Sequence, residues 1–284
     1  MSQLASNPQQ LAAVLQMLQG PDTATIKQGE KQLKGFEKKE SCLPALFSYC
    51  ATQGNSVFTR LQAALLLKKN ISKHVKKFSP AQVEQMKTQL LAMMVSEPEK
   101  QLSVALAGCT AKLAKSGMSK NGAWPELFQL LVDLGRDPVE ARRALDYSLL
   151  GQLAEHVAQK LVPHLDVIAG MLSMGCQDPV HAVKKEAMSA CSMFLSMCGE
   201  SDEIMKLQIV LGPMVGVMGT CLQNGDEESV CEGLEVLSDC ATLEKPLIND
   251  HLEVRPSFLF FLFFSFSHLL THTPPRLASP RPRI

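Results

Sequence analysis

Residues 177–198, QDPVHAVKKEAMSACSMFLSMC, open on a turn and run on as a helix. Asp178 supplies a side-chain acceptor for amides that lack partners at a helix start, and Pro179 is tolerated in a first turn. Val183, Ala187 and Ala190 then recur at helical spacing; Val183 is expected to fill a core and the alanines to let neighbouring helices approach. Forty-one residues earlier Asp137-Pro138-Val139 repeats the opening and leads into Arg142, Arg143 and Ala144. Similar breaks stand at Gly20-Pro21-Asp22, Gln53-Gly54-Asn55, Ser96-Glu97-Pro98, Gly135-Arg136-Asp137 and Asn224-Gly225-Asp226, so the breaks are roughly 33 to 48 residues apart. Between them apolar residues recur every three or four positions and strand-like alternation is rare.

This pattern predicts an all-α fold and resembles the HEAT-repeat α-solenoid, with about six helical hairpins. First helices are expected near 6–19, 41–52, 79–95, 124–134, 162–174 and 203–223. Second helices are expected near 22–38, 55–75, 98–115, 137–160, 178–199 and 226–243. The competing reading is an irregular helical bundle. The solenoid domain is assigned to residues 1–253, followed by a tail at 254–284 of different character.

The 284 residues include 28 Lys plus Arg and 28 Asp plus Glu, so no overall basic field favours nucleic acid. Nine cysteines (42, 50, 109, 176, 191, 198, 221, 231 and 240) contain no Cys-x-x-Cys pair and read as reduced core thiols. The N-terminus has no secretory signal pattern, which leaves the Asn70-Ile71-Ser72 sequon without a compartment in which to act. The seven histidines form no zinc-finger or His-Glu-x-x-His spacing, and neither a Gly-rich phosphate loop nor a Gly-x-Ser-x-Gly elbow is present. No catalytic, cofactor-binding or metal-binding residue is expected.

Three segments narrow the reading. PDTATIKQGEKQLKGFEK (21–38), with Ile26, Leu33 and Phe36 as its apolar stripe, resembles the segment that opens karyopherins. SVFTRLQAALLLKKNISKH (56–74) resembles that family's second repeat, through Arg60, Ala63, Ala64, Leu67 and the Leu-Lys-Lys-Asn turn. AWPELFQLL (123–131) is similar to the Trp-Pro opening of its fourth helical pair. The chain is thus identified as resembling the N-terminal region of importin-β (karyopherin-β) receptors, of the importin-4 and importin-5 type.

The resemblance implies a nuclear transport receptor that moves between cytoplasm and nucleus through the pore. Its implied partners are the GTP form of the small GTPase Ran, nucleoporin FG repeats and cargo with basic import signals. In that family the second helices line the concave surface, which makes Lys27, Lys31, Lys34, Arg60, Lys68 and Lys69 candidate Ran contacts. Glu227, Glu228, Glu232 and Glu235 form a candidate face for basic cargo. Grooves for FG phenylalanines are expected between the outer helices of hairpins five and six, where Met171, Met174, Met214 and Met218 offer adaptable surface or core. Each charged stripe has a plain alternative, a solvated helix face. A scaffold unrelated to Ran and a non-functional truncated isoform are the alternative functions.

The tail departs from the family. PSFLFFLFFSFSHLL (256–270) holds six of the twelve phenylalanines, and residues 256–284 contain no Lys, Asp, Glu, Gly or Val. It is expected to be poorly ordered and reads as intron read-through after Val254-Arg255, against a membrane-associating tail or a genuine packing helix; its apolar block falls short of the roughly 20 residues that span a bilayer.

Overall fold

The computed structural model describes residues 8–117, 124–199, 201–243 and 247. The expected tail lies outside the described residues. Among the described residues twelve α-helices form six hairpins and there is no strand. The first helices are α1 (Pro8–Met17), α3 (Cys42–Ala51), α5 (Pro80–Ser96), α7 (Pro125–Gly135), α9 (Leu165–Cys176) and α11 (Gln208–Gln223). The second helices are α2 (Thr23–Glu37), α4 (Val57–His74), α6 (Lys100–Gly117), α8 (Glu140–Leu161), α10 (His181–Cys198) and α12 (Glu227–Thr242). Short 3-10 turns at Val75–Lys77, Val162–His164 and Asp202–Leu207 precede α5, α9 and α11.

The starts follow local chemistry. Asp22 caps α2 by accepting from the amides of Ala24 and Thr25. Ser79 and Gln82 close a capping box around Pro80 at the start of α5. The two Asp-Pro breaks differ in detail from expectation. Asp137 and Asp178 accept from the amides of Val139 and Val180, two residues on, at 2.8 Å each. They fix an Asx turn, and the helices begin at Glu140 and His181, after the proline.

Helices α2 and α4 bury one stripe each, whereas α6 and α8 are buried nearly all round. Leu33 and Phe36 are buried on α2, with Ile26 only half-buried, and Ala63, Ala64, Leu67 and Ile71 are buried on α4. Full burial of a side chain such as Leu67 stabilises by about 1.5–3 kcal/mol. Consecutive second helices from α4 to α12 pack side by side, whereas extensive first-helix contact occurs only between α9 and α11. The small residues allow this: a Cβ on Gly151 of α8 would lie 3.4 Å from Cα of Ala190 on α10. Lys100, which opens α6, even pairs with Glu186 of α10 at 3.2 Å, reaching past α8. This pair links hairpin three to hairpin five across the second-helix layer.

Ion pairs tie successive hairpins. Arg60 of α4 meets Glu97, in the turn before α6, at 2.5 Å; Arg143 of α8 meets Asp178 at 2.7 Å; Lys185 of α10 meets Asp226, which caps α12. All nine cysteines are free, eight of them buried and Cys231 exposed. Asn70 is fully buried and donates to the Leu66 carbonyl, which closes the sequon to modification. Among the described residues one segment, Asp202–Gln223, is long and apolar enough to cross a membrane; here Val210, Leu211, Met214, Val217, Met218 and Cys221 pack it into the sixth hairpin.

Candidate functional site

Helix α2 is the most lightly packed of the second helices, burying only Gly29, Leu33 and Phe36. The remaining faces are free for charge. Lys27, Lys31 and Lys34 are all exposed, and among the described residues no carboxylate forms an ion pair with them. The i, i+4, i+7 spacing sets the three ammonium groups in one row. Lys69, at the far end of α4, joins this surface through Glu37, whose carboxylate accepts from its Nζ at 2.9 Å. The same Glu37 offers its carbonyl to His74 Nε2 at 2.7 Å, so α4 holds the end of α2 in place.

Lys68 takes a different course. Its half-buried chain crosses to α6, where a Cβ on Gly108 would come within 2.9 Å of its Nζ and 2.5 Å of Gln152 Oε1 from α8. Both atoms are the ends of flexible side chains that could shift, and Lys68 lies where α4, α6 and α8 meet.

Arg60 does not belong to the exposed row and is corrected as a Ran contact. It is 3% exposed, and its guanidinium is fully engaged inside the protein. Nε donates to the Cys50 carbonyl at 2.9 Å, Nη1 to Gln53, and Nη2 to Glu97. Withdrawing it toward a partner would leave the Glu97 carboxylate buried and unpaired. Glu97, in sequence only a residue of the Ser96-Glu97-Pro98 break, is thus the counter-charge that fixes hairpin two to hairpin three.

Glu227, Glu228, Glu232 and Glu235 are all exposed on α12. Two of them lie in its first turn, where the helix dipole favours negative charge. Glu228, Glu232 and Glu235 continue along one face, and Glu232 accepts from Ser189 Oγ of α10 at 3.3 Å. The face adjoins α10, the preceding second helix.

Between α9 and α11, where a groove is expected, the two helices pack closely, and Val167, Met174 and Ile209 remain exposed on them. Met214 and Met218 are fully buried, Met171 is half-buried and Met174 is exposed. Clefts open instead between earlier first helices. One of about 590 Å³ lies between α3 and α5, lined by Pro44, Phe47, Phe78, Met86 and Met93. Another of about 750 Å³ lies between α5 and α7, with Leu91, Val95, Pro125 and Leu130 in its walls. Trp124, which precedes α7, is 2% exposed, with the Nζ of Lys87 on α5 5.0 Å from its ring centroid.

Asp146 of α8 is fully buried, and neither carboxylate oxygen has a hydrogen-bond partner. Burial pushes its pKa up to about 8, so the group is a neutral acid at physiological pH.

Comparison with known proteins accords with this architecture. Residues 29–96 match the family model described as importin-beta N-terminal domain, and residues 98–254 match that described as IPO5-like, TPR repeats. Mouse importin-4 is 24% identical over 250 residues, which cover 86% of this chain and 22% of the relative. The probable importin-5 homolog of Dictyostelium discoideum is 22% identical over 268 residues, covering 92% of this chain and 24% of the relative. The chain therefore spans less than a quarter of the length of these two relatives. Among solved structures, Kap121p superposes with a TM-score of 0.72 at 20% identity, over 94% of this chain and 25% of its own. Kap121p bound to RanGTP superposes with a TM-score of 0.70, over 87% of this chain and 23% of its own. With six hairpins in order, and with matches that run nearly unbroken from residue 29 to residue 254, the chain belongs to the importin-β family of nuclear transport receptors.

Proposed function

We propose that this chain forms the Ran-gripping end of an import receptor, with Lys27, Lys31 and Lys34 as the principal contacts and Lys69 and Lys68 beside them. The observation that carries the reading is the row of exposed, unpaired lysines on α2, the second helix left most open by its neighbours. Exposed ammonium groups in a fixed row favour an acidic partner surface and speed its encounter. That a similar solenoid has been solved with RanGTP supports the choice of partner.

Two further surfaces complete the proposal. The clefts between α3 and α5 and between α5 and α7 accept the phenylalanines of nucleoporin FG repeats, since an apolar slot of this size suits an aromatic ring. The α12 carboxylates receive basic segments of cargo. Shuttling between cytoplasm and nucleus follows from these contacts.

Calorimetry of the chain with Ran loaded with GTP and with GDP tests the reading. Preference for the GTP form, lost in a Lys27→Glu, Lys31→Glu, Lys34→Glu variant and weakened by salt, is the expected result. Equal binding, or none, by a chain with its full helical circular dichroism would leave a HEAT scaffold unrelated to Ran as the better account.

A further inference from the structure

At the joint between hairpins five and six, one imidazole nitrogen of His181, the Sγ of Cys221 and a carboxylate oxygen of Asp226 all lie within 4.8 Å of one another. The backbone brings them there. His181 is the first residue of α10, Cys221 lies in the last turn of α11, and Asp226 caps α12. Gly225, at φ +73, turns the chain back so that the Asp226 amide donates to the Cys221 carbonyl at 2.9 Å. A residue with a Cβ would strain this turn.

One further feature points to a ligand. His181 Nδ1 is enclosed yet has no hydrogen-bond partner. Its Nε2 lies 3.5 Å from the side-chain amide of Asn224, and with the amide turned so that its oxygen accepts, Nε2–H is held and Nδ1 keeps a lone pair. The Asp226 carboxylate already carries the Lys185 ammonium and accepts from the amide and hydroxyl of Ser229, so a cation entering the site must displace Lys185.

We propose that His181, Cys221 and Asp226 form a zinc(II) site that fastens hairpin five to hairpin six and displaces Lys185. A thiolate, an imidazole and a carboxylate form a donor set suited to zinc, and water would fill the fourth position. Tetrahedral zinc, with bonds of about 2.3 Å to sulfur and about 2.0–2.1 Å to nitrogen and oxygen, sets donors about 3.5 Å apart. Side chains at three helix ends can close the remaining gap of about 1 Å by rotamer adjustment. The balance is simple: the Cys221 thiol gives up its proton to solvent as its sulfur takes the ion, and Lys185 leaves for solvent still protonated. His181 and Asp226 are only half-buried, which leaves an entry path.

Titration of the full chain with cobalt(II), under reducing conditions, reads the thiolate bond as a near-ultraviolet charge-transfer band, and zinc(II) should discharge that band. The band is expected in the wild type and absent in Cys221→Ser. His181→Gln should weaken zinc binding by about tenfold or more, since even the outer partners of metal ligands contribute that much. Lys185→Met, which removes the competing charge, should tighten it severalfold. A wild-type chain of full helical content that shows no band, or a band that survives Cys221→Ser, overturns the assignment.

Discussion

The substitution Asp146→Asn isolates the energetic effect of a single buried acid. In the folded chain the carboxyl titrates near pH 8 because burial disfavours its charge; in the unfolded chain it returns to the ordinary value of 3.8. The folded state therefore binds the proton more tightly. Below about pH 4 both states are protonated and the group costs nothing. Between the two values, unfolding releases a proton, and stability falls by about 1.4 kcal/mol for each pH unit gained. Above about pH 8 the loss levels off. At pH 7 the accumulated cost is about 4 kcal/mol relative to the acid plateau, a large share of the stability of an ordinary domain. The amide that replaces the carboxyl has the same shape and no titration, so any fixed cost of burying it is independent of pH. Urea unfolding followed by the fluorescence of Trp124, which closes the neighbouring hairpin joint, should show the variant gaining on the wild type by about 1.4 kcal/mol per unit from pH 5 to pH 7. A gap that stays constant across that range would refute the assignment of a neutral, unpartnered acid at this position.

Arg60→Ala should destabilise the chain by about 3–5 kcal/mol, because Glu97 is left buried without its counter-charge, and Arg60→Met with Glu97→Leu should regain most of that; denaturant titration measures both. Gly175→Ala places a Cβ 2.3 Å from Tyr147 Cζ and 2.7 Å from Ala187 Cβ, so despite a better helix propensity it should lower stability by about 1–3 kcal/mol, read as a drop in thermal midpoint. A thiol reagent added to the native chain should modify Cys231 rapidly and leave the buried eight, with Cys50 pushed up to about 12 and Cys42 to about 11 by burial; mass spectrometry after short exposure counts the labels, and Cys231→Ser should remove the fast one.

The hairpins were legible because apolar spacing and break chemistry are both local: the first residue of eleven of the twelve helices falls within three positions of expectation. The exception is α11, where residues 202–207 form a 3-10 turn and the α-helix starts at Gln208. Arg60 shows what charge alone conceals. It shares a helix face with Ala64, Leu67 and Ile71, so its position on the buried stripe was present in the spacing, and Glu97 stands 37 residues on, close to the 35 that separate Arg143 from Asp178. Reading spacing before charge would have found the pair. The clefts between first helices were not legible, because the separation of two helices depends on side chains from a third and fourth. The lysines on α2 and the glutamates on α12 lie at the surface as expected, while their partners are matters of binding that no spacing reveals.

The bridge from Lys100 to Glu186 spans three second helices whose joints are held by buried contacts. Its lysine is 67% exposed, whereas the Arg60–Glu97 and Arg143–Asp178 pairs are shielded from water. Any change in the bend of that layer alters the distance this pair spans before it shifts the register of a joint. This exposed pair is therefore a gauge of the bend of the second-helix layer, and its rupture would report a change in curvature while every hairpin remained intact.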